Sequence, residues 1–261
     1  MKGQLAARVA TAAVLVVALL AALFFLPRAW LAGVLALVLL LAGLEWARLC
    51  RLPQAGAWLY AAMITTIFLT GEFLRMTQAI LVVSAAWWVL VAPAWMWRGV
   101  QSGQRAWLGA AGFAVLVPAA LAMLALRPLE VLLVLVLVWI ADTAAYFVGR
   151  RWGRRKLAPA ISPGKTWEGA AGGLSAALAY AIIGGFWIQG IAWAPFLAAA
   201  ALLAMVSIVG DLFESAAKRQ AGVKDSGSLL PGHGGVLDRI DSATAALPLA
   251  ALLWPLARAG A

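Results

Sequence analysis

Between positions 211 and 241 the chain gathers five acids (Asp211, Glu214, Asp225, Asp238, Asp241), four bases (Lys218, Arg219, Lys224, Arg239) and its single histidine, His233. Asp211, Glu214 and Lys218 stand at i, i+3 and i+7, with Ser215 at i+4 from Asp211. One helical face would therefore carry two acids, a hydroxyl and a cation. Pro231-Gly232-His233-Gly234-Gly235 then breaks any helix and exposes backbone amides, and Asp238 and Asp241, three apart, resume on one face of the next helix. Carboxylates from two helices meeting at one depth suit magnesium, which takes one or two carboxylates and fills its shell with phosphate and water oxygens. Zinc is disfavoured by a single histidine and a lone cysteine, Cys50. The alternative reading is a structural ion-pair network among Asp238, Arg239 and Lys218. His233 taken alone would only hydrogen-bond within its loop.

Two upstream clusters share this character. Asp142, Tyr146 and Arg150 recur every fourth residue, so an acid, a hydroxyl and a cation fall on one helical stripe. That stripe faces either a polar cavity or a partner helix, where the acid would form an interhelical salt bridge. Ser162-Pro163-Gly164-Lys165-Thr166-Trp167-Glu168-Gly169 follows. Pro163-Gly164 predicts a tight turn, Lys165 and Thr166 supply a cation and a hydroxyl, and a helix starting there turns its positive end on the same spot, which favours phosphate. It is not a Walker loop, since the spaced first glycine and the preceding strand are missing. The basic run Arg150, Arg151, Arg154, Arg155 and Lys156 either fixes topology or touches anionic headgroups.

The elements that must hold these groups are set by composition. Of 261 residues 65% are hydrophobic and 11% charged, against roughly 25% charged in a soluble domain. The expected fold class is all-α, a polytopic integral membrane protein. At about 20 apolar residues per crossing the chain offers nine runs: 9–26, 29–47, 57–73, 78–97, 107–126, 129–147, 169–187, 192–212 and 236–256. The third is the weakest, ending in Gly71-Glu72. The first is a span and not a cleaved leader, because it ends at Pro27-Arg28 without a small-residue cleavage site. With the N-terminus cytoplasmic, sixteen of the twenty Lys and Arg residues fall inside and only Arg28, Arg75, Arg127 and Arg258 outside. The net charge of +10 is thus a topology signal and not a nucleic-acid footprint. Trp95, Trp97 and Trp107, beside Arg98 and Arg105, read as interfacial anchors, and Cys50 reads as a small apolar filler. Seven of the ten acids lie from Asp142 onward. The chain therefore divides into membrane helices over 1–128 and a chemistry-bearing half over 129–261.

With these residues in hand, the chain resembles the phosphatidate cytidylyltransferase (CDP-diacylglycerol synthase) family. That family's signature is matched without a gap by Ser215, Lys218, Arg219, Lys224, Asp225, His233, Gly234, Gly235, Asp238, Arg239 and Asp241, and the clusters around Asp142, Lys165 and Asp211 also look like it. The resemblance implies a bacterial inner-membrane enzyme that joins CTP to phosphatidic acid with magnesium at the cytoplasmic face. On that reading Asp211, Asp238 and Asp241 hold one or two cations, and Lys218, Arg219 and Lys224 take triphosphate oxygens with help from Ser215, Arg239, Gly234 and Gly235. Asp142, Lys165, Asp225 and His233 complete the catalytic set, whereas Ser242, one residue past the signature, is expected to be dispensable. Expected partners are CTP, phosphatidic acid and membrane lipids, with a homodimer also carried as an expectation and nucleic acid excluded. The rival readings are a CTP-dependent polyprenol or lipid kinase and a transporter for an anionic solute. The transporter suits poorly, because its site belongs near the bilayer midplane on broken helices.

Overall fold

A computed structural model describes residues 2–99, 103–229 and 234–258, with side chains described from Ala10. Among the described residues nine helical rods follow one another: α1 (Lys2–Phe25), α2 (Arg28–Leu49), α3 (Gln54–Phe73), α4 (Thr77–Trp97), α5 (Arg105–Ala125), α6 (Pro128–Trp152), α7 (Trp167–Gly185), α8 (Trp193–Ala221) and α9 (Leu237–Arg258). Each apolar run of the sequence coincides with one rod. Six of them, α2, α4, α5, α6, α8 and α9, are long and apolar enough to cross a membrane by length and composition. In α1 the described side chains cover the shorter apolar stretch Ala10–Phe25.

Two helices run well past the C-terminal ends of their apolar segments, and both do so at the polar clusters. α6 continues to Trp152, so Arg150 and Arg151 ride on its last turn, where cations complement the negative end of the helix dipole. α8 continues to Ala221 and keeps Lys218 and Arg219 helical. It stops at Gly222, whose φ of 75° is left-handed, with the amides of Gly222 and Val223 returning to the carbonyls of Arg219 and Lys218.

Between α6 and α7 lies an antiparallel hairpin that the sequence reading did not place, β1 (Lys156–Ala158) with β2 (Ser162–Thr166). Pro163-Gly164 is not the turn. The chain reverses at 159–161, and Pro163-Gly164 lies within β2. Lys156 pairs with Thr166 and Ala158 with Ser162, so two residue steps on β1 face four on β2. The surplus is an irregularity holding Pro163, Gly164 and Lys165, which accommodates a residue without an N–H and re-aims the side chain beside it.

Small residues set the helix spacing under the polar clusters. A Cβ on Gly173 would stand 2.7 Å from the Ala141 carbonyl, and one on Gly169 2.7 Å from that of Ala145, so α7 lies directly against the α6 backbone. Gly210 does the same for α8 and α9, facing the Asp241 carbonyl. Thr166 caps α7 by accepting the Gly169 amide at 3.1 Å.

The N-terminal helices pack into the same apolar core as the rest, which runs from Leu23 in α1 to Ala250 in α9. At its densest point Phe213 of α8 is ringed by Trp46, Trp87, Trp88 and Trp95 at centroid distances of 5.2 to 6.3 Å. The π-helical turn Trp87–Val91 in α4, just before Pro93, relieves the ring clash that proline makes with the preceding turn and leaves Trp87 and Trp88 both buried. Trp95 is therefore no interfacial anchor. It packs on Phe213 and donates its indole N–H to Gln104 Oε1 at 2.7 Å, whereas Trp97 is 92% exposed, as an anchor should be. Cys50, just past α2, is buried, and burial pushes its thiol up to about 11.

Candidate active site

Four helix ends and the hairpin converge on one level of the bundle. The bulge in β2 delivers Lys165 to α8, where its Nζ sits 2.7 Å from Asp211 Oδ2, while Ser215 Oγ donates to Asp211 Oδ1 at 3.3 Å. One turn further along α8, Lys218 reaches across to α9 and stands 2.7 Å from Asp238 Oδ1 and 3.1 Å from Glu214 Oε1. Glu214 is buried, and neither of its oxygens has an aligned hydrogen-bond donor, so the Lys218 ammonium is its charge partner. Glu214 and Asp241 line a small cavity closed on its apolar side by Trp46, Trp88 and Phe213.

Asp142 enters from α6 and accepts the hydroxyl of Ser242 on α9 at 3.1 Å. Among the described residues it forms no salt bridge, so the bracing reading of this acid lacks its cation. Tyr146 and Arg150 do share its stripe, with the guanidinium 3.0 Å from the phenol oxygen. Asp142, Asp211 and Asp241 lie near enough for their charges to repel one another.

The carboxylates differ in what they have left to offer. Asp238 accepts the Lys218 ammonium on Oδ1 at 2.7 Å and the amides of Ser226 and Gly235 on Oδ2 at 3.0 and 2.9 Å, with the Ser226 hydroxyl also 3.0 Å from Oδ2. Asp238, expected to share a cation with Asp211 and Asp241, here pins its loop through these contacts. Asp142, Asp211 and Asp241 form an oxygen-only group with excess negative charge, which in donor chemistry fits a hard cation such as magnesium. Among the described residues no three Asp, Glu, His or Cys side chains stand in a metal-holding arrangement, and Lys165 places a positive charge beside Asp211.

The remaining predicted residues scatter. Arg219 is exposed and donates to the Ile161 carbonyl at 3.3 Å, tying α8 to the hairpin and not pointing at the acids. Lys224, Asp225 and Arg239 are exposed. Gly234, at a φ of 83°, approaches the Asp238 carboxylate so closely that a Cβ would stand 2.8 Å from Oδ2. His233, with Gly232, lies outside the described residues.

Sequence reasoning missed three residues. Ser242, expected to be dispensable, is buried and orients Asp142. Ser226 bridges two carboxylates, and the second of them is Glu45 on α2, which accepts the Ser226 hydroxyl and the amides of Val236 and Leu237. The signal for Glu45 was present as an acid inside an apolar run.

This geometry can be set beside known proteins. A model of the cytidylyltransferase family matches residues 6–256. The chain belongs to the cytidylyltransferase family. A phosphatidate cytidylyltransferase of Pseudomonas aeruginosa is 44% identical over 261 aligned positions, covering 95% of this chain and 96% of that protein. One of Haemophilus influenzae is 36% identical, covering 92% and 95%, and one of Bacillus subtilis is 47% identical over 126 positions, 46% of this chain and 45% of that protein.

Proposed function

We propose that this protein transfers the cytidylyl group of CTP to phosphatidic acid, giving CDP-diacylglycerol and pyrophosphate, with magnesium, at the cytoplasmic surface of a bacterial inner membrane. The observation that carries the reading is the pair Lys165 and Lys218. They come from different elements, and each is held at 2.7 Å by a carboxylate of the α8–α9 pair, Asp211 and Asp238 respectively. Membership of the cytidylyltransferase family and likeness to phosphatidate cytidylyltransferases that align over nearly the whole chain support the same reaction.

Phosphatidate is an anionic oxygen nucleophile at neutral pH, so the reaction needs no strong base. Its phosphate oxygen attacks the α-phosphorus of CTP while the bond to the β-phosphate oxygen breaks, and pyrophosphate leaves with the electron pair. Positioning and neutralising the accumulating negative charge make up most of the work. Lys218 would take triphosphate oxygens with Arg219 and Lys224, the last two exposed to solvent. Lys165, with the N-terminus of α7 behind it, would receive the lipid phosphate. Asp211 and Asp241, with Asp142 beside them, would hold magnesium, and that ion, when bound, neutralises phosphate charge and orients the reacting groups.

The test is where label goes. With CTP labelled at the α-phosphorus, purified protein in phosphatidate-containing vesicles should put label into lipid and release pyrophosphate, and chelation should stop turnover until magnesium is restored. In a parallel run with CTP labelled at the γ-phosphorus, label recovered in lipid with CDP released would establish the kinase reading instead, and no CTP turnover with phosphatidate would remove the cytidylyl reading.

A further inference from the structure

Of the three acids that precede Asp142 in the chain, two are accounted for at the end of the bundle away from the site. Glu72 pairs with Arg28 at 2.7 Å, and Glu130 accepts the Arg127 amide at 2.8 Å. Glu45 is different. It lies one turn from the end of α2, is 3% exposed, and has no cation among the described residues. Its partners lie about 190 residues away, counted from the numbers of the bonded pairs: the amide of Val236 to Oε1 at 2.9 Å, and the amide of Leu237 and the hydroxyl of Ser226 to Oε2, each at 3.0 Å.

A carboxylate accepting free amides at the start of a helix is an N-cap, here supplied to α9 by another helix altogether. The fit is close. A Cβ on Gly227 would meet Glu45 Oε1 at 2.5 Å, and one on Gly235 would collide with both Glu45 and Ser226, so the loop has glycine on both sides of this carboxylate. The Ser226 hydroxyl is also 3.0 Å from Asp238 Oδ2, and Asp238 in turn holds Lys218. A chain of contacts thus runs from α2 through Ser226 and Asp238 to the ammonium proposed to take triphosphate.

We infer that Glu45 is a positioning residue for cytidylyl transfer: it fixes the start of α9 and, through Ser226, the orientation of Asp238 and Lys218. This rests on the reaction proposed above. Apolar packing alone would hold α2 in place, as Trp46 already does from the neighbouring position. A buried acid with three donors from the catalytic loop is needed only if that loop must be held in one geometry.

The test uses the full-length protein as Glu45→Gln, Glu45→Asp and Ser226→Ala, with amide exchange at Val236 and Leu237 and the steady-state constants measured in parallel. A carboxamide offers one acceptor oxygen where two are used, so Glu45→Gln should speed exchange at these amides and lower kcat about tenfold or more, with KM for phosphatidate shifting less than about twofold. Glu45→Asp, keeping the charge, should recover part of kcat. Faster exchange with kcat unchanged would reduce Glu45 to a brace and overturn the inference, as would unchanged exchange. Should Glu45→Gln not fold, Ser226→Ala decides: a fall in kcat of about threefold or more supports the relay, and an unaltered kcat overturns it. Wild-type protein that forms no CDP-lipid would count against the proposed reaction, and the exchange measurement would still decide whether Glu45 clamps the loop.

Discussion

Lys218 is one ammonium serving two acids, one of them buried in a pocket of tryptophans. Its removal strands Glu214 without a counter-charge, so Lys218→Ala is expected to cost about 3 kcal/mol of stability as well as about a hundredfold in turnover. The two losses are separable. Lys218→Met combined with Glu214→Leu should recover the melting temperature in detergent but not the activity, and recovery of both would show that Lys218 serves only the fold. Asp142→Asn can still accept the Ser242 hydroxyl, so its melting temperature should hold while turnover falls about tenfold or more. A melting temperature that falls in step with activity would make Asp142 a brace. Ser242→Ala removes a buried hydrogen bond worth about 1 kcal/mol and should lower turnover several-fold by freeing Asp142.

At the scale of elements, the site depends on how closely α6 approaches α7 and α8 approaches α9. Gly173→Val forces two branches into the Ala141 carbonyl and should cost about 1 to 3 kcal/mol, whereas Gly164→Ala, with nothing within 4 Å of the new methyl, should leave the melting temperature unchanged. The helices themselves were legible, because a bilayer leaves its mark as long uninterrupted apolar runs and nothing in this chain obscures them. The Asp211, Ser215, Lys218 face was legible from helical spacing alone. Pro163-Gly164 misled because that pair is also suited to an irregular edge strand, and only the register against Lys156 and Ala158 separates the two. Trp95 misled because a tryptophan near an arginine at a span's end has the same local sequence whether it faces headgroups or Phe213. Glu45 could be seen as anomalous but not explained, since its partners are distant in the chain and are mostly backbone amides, which every sequence has.

As a whole, the molecule does not separate into a scaffold half and a chemical half as cleanly as its charges do. The core is continuous from α1 to α9; Glu45 of α2 reaches the start of α9, and Arg51, just past α2, donates its guanidinium to the carbonyl of Ala221 at the end of α8 at 3.1 Å. Expression of 129–261 alone is therefore expected to yield no activity, while co-expression with 1–128 should restore some; full activity from the C-terminal piece alone would contradict this. The burial of Cys50 also bears on orientation. A thiol that is both shielded and pushed up to about 11 stays silent toward maleimides at neutral pH, so the natural chain already serves as its own blank for sidedness mapping. One added reporter at an exposed position after α8, Ser228→Cys, would then carry the whole signal. It should react in inverted vesicles and not in intact cells, and reaction from outside would turn the bundle over and leave the converging helix ends facing away from CTP.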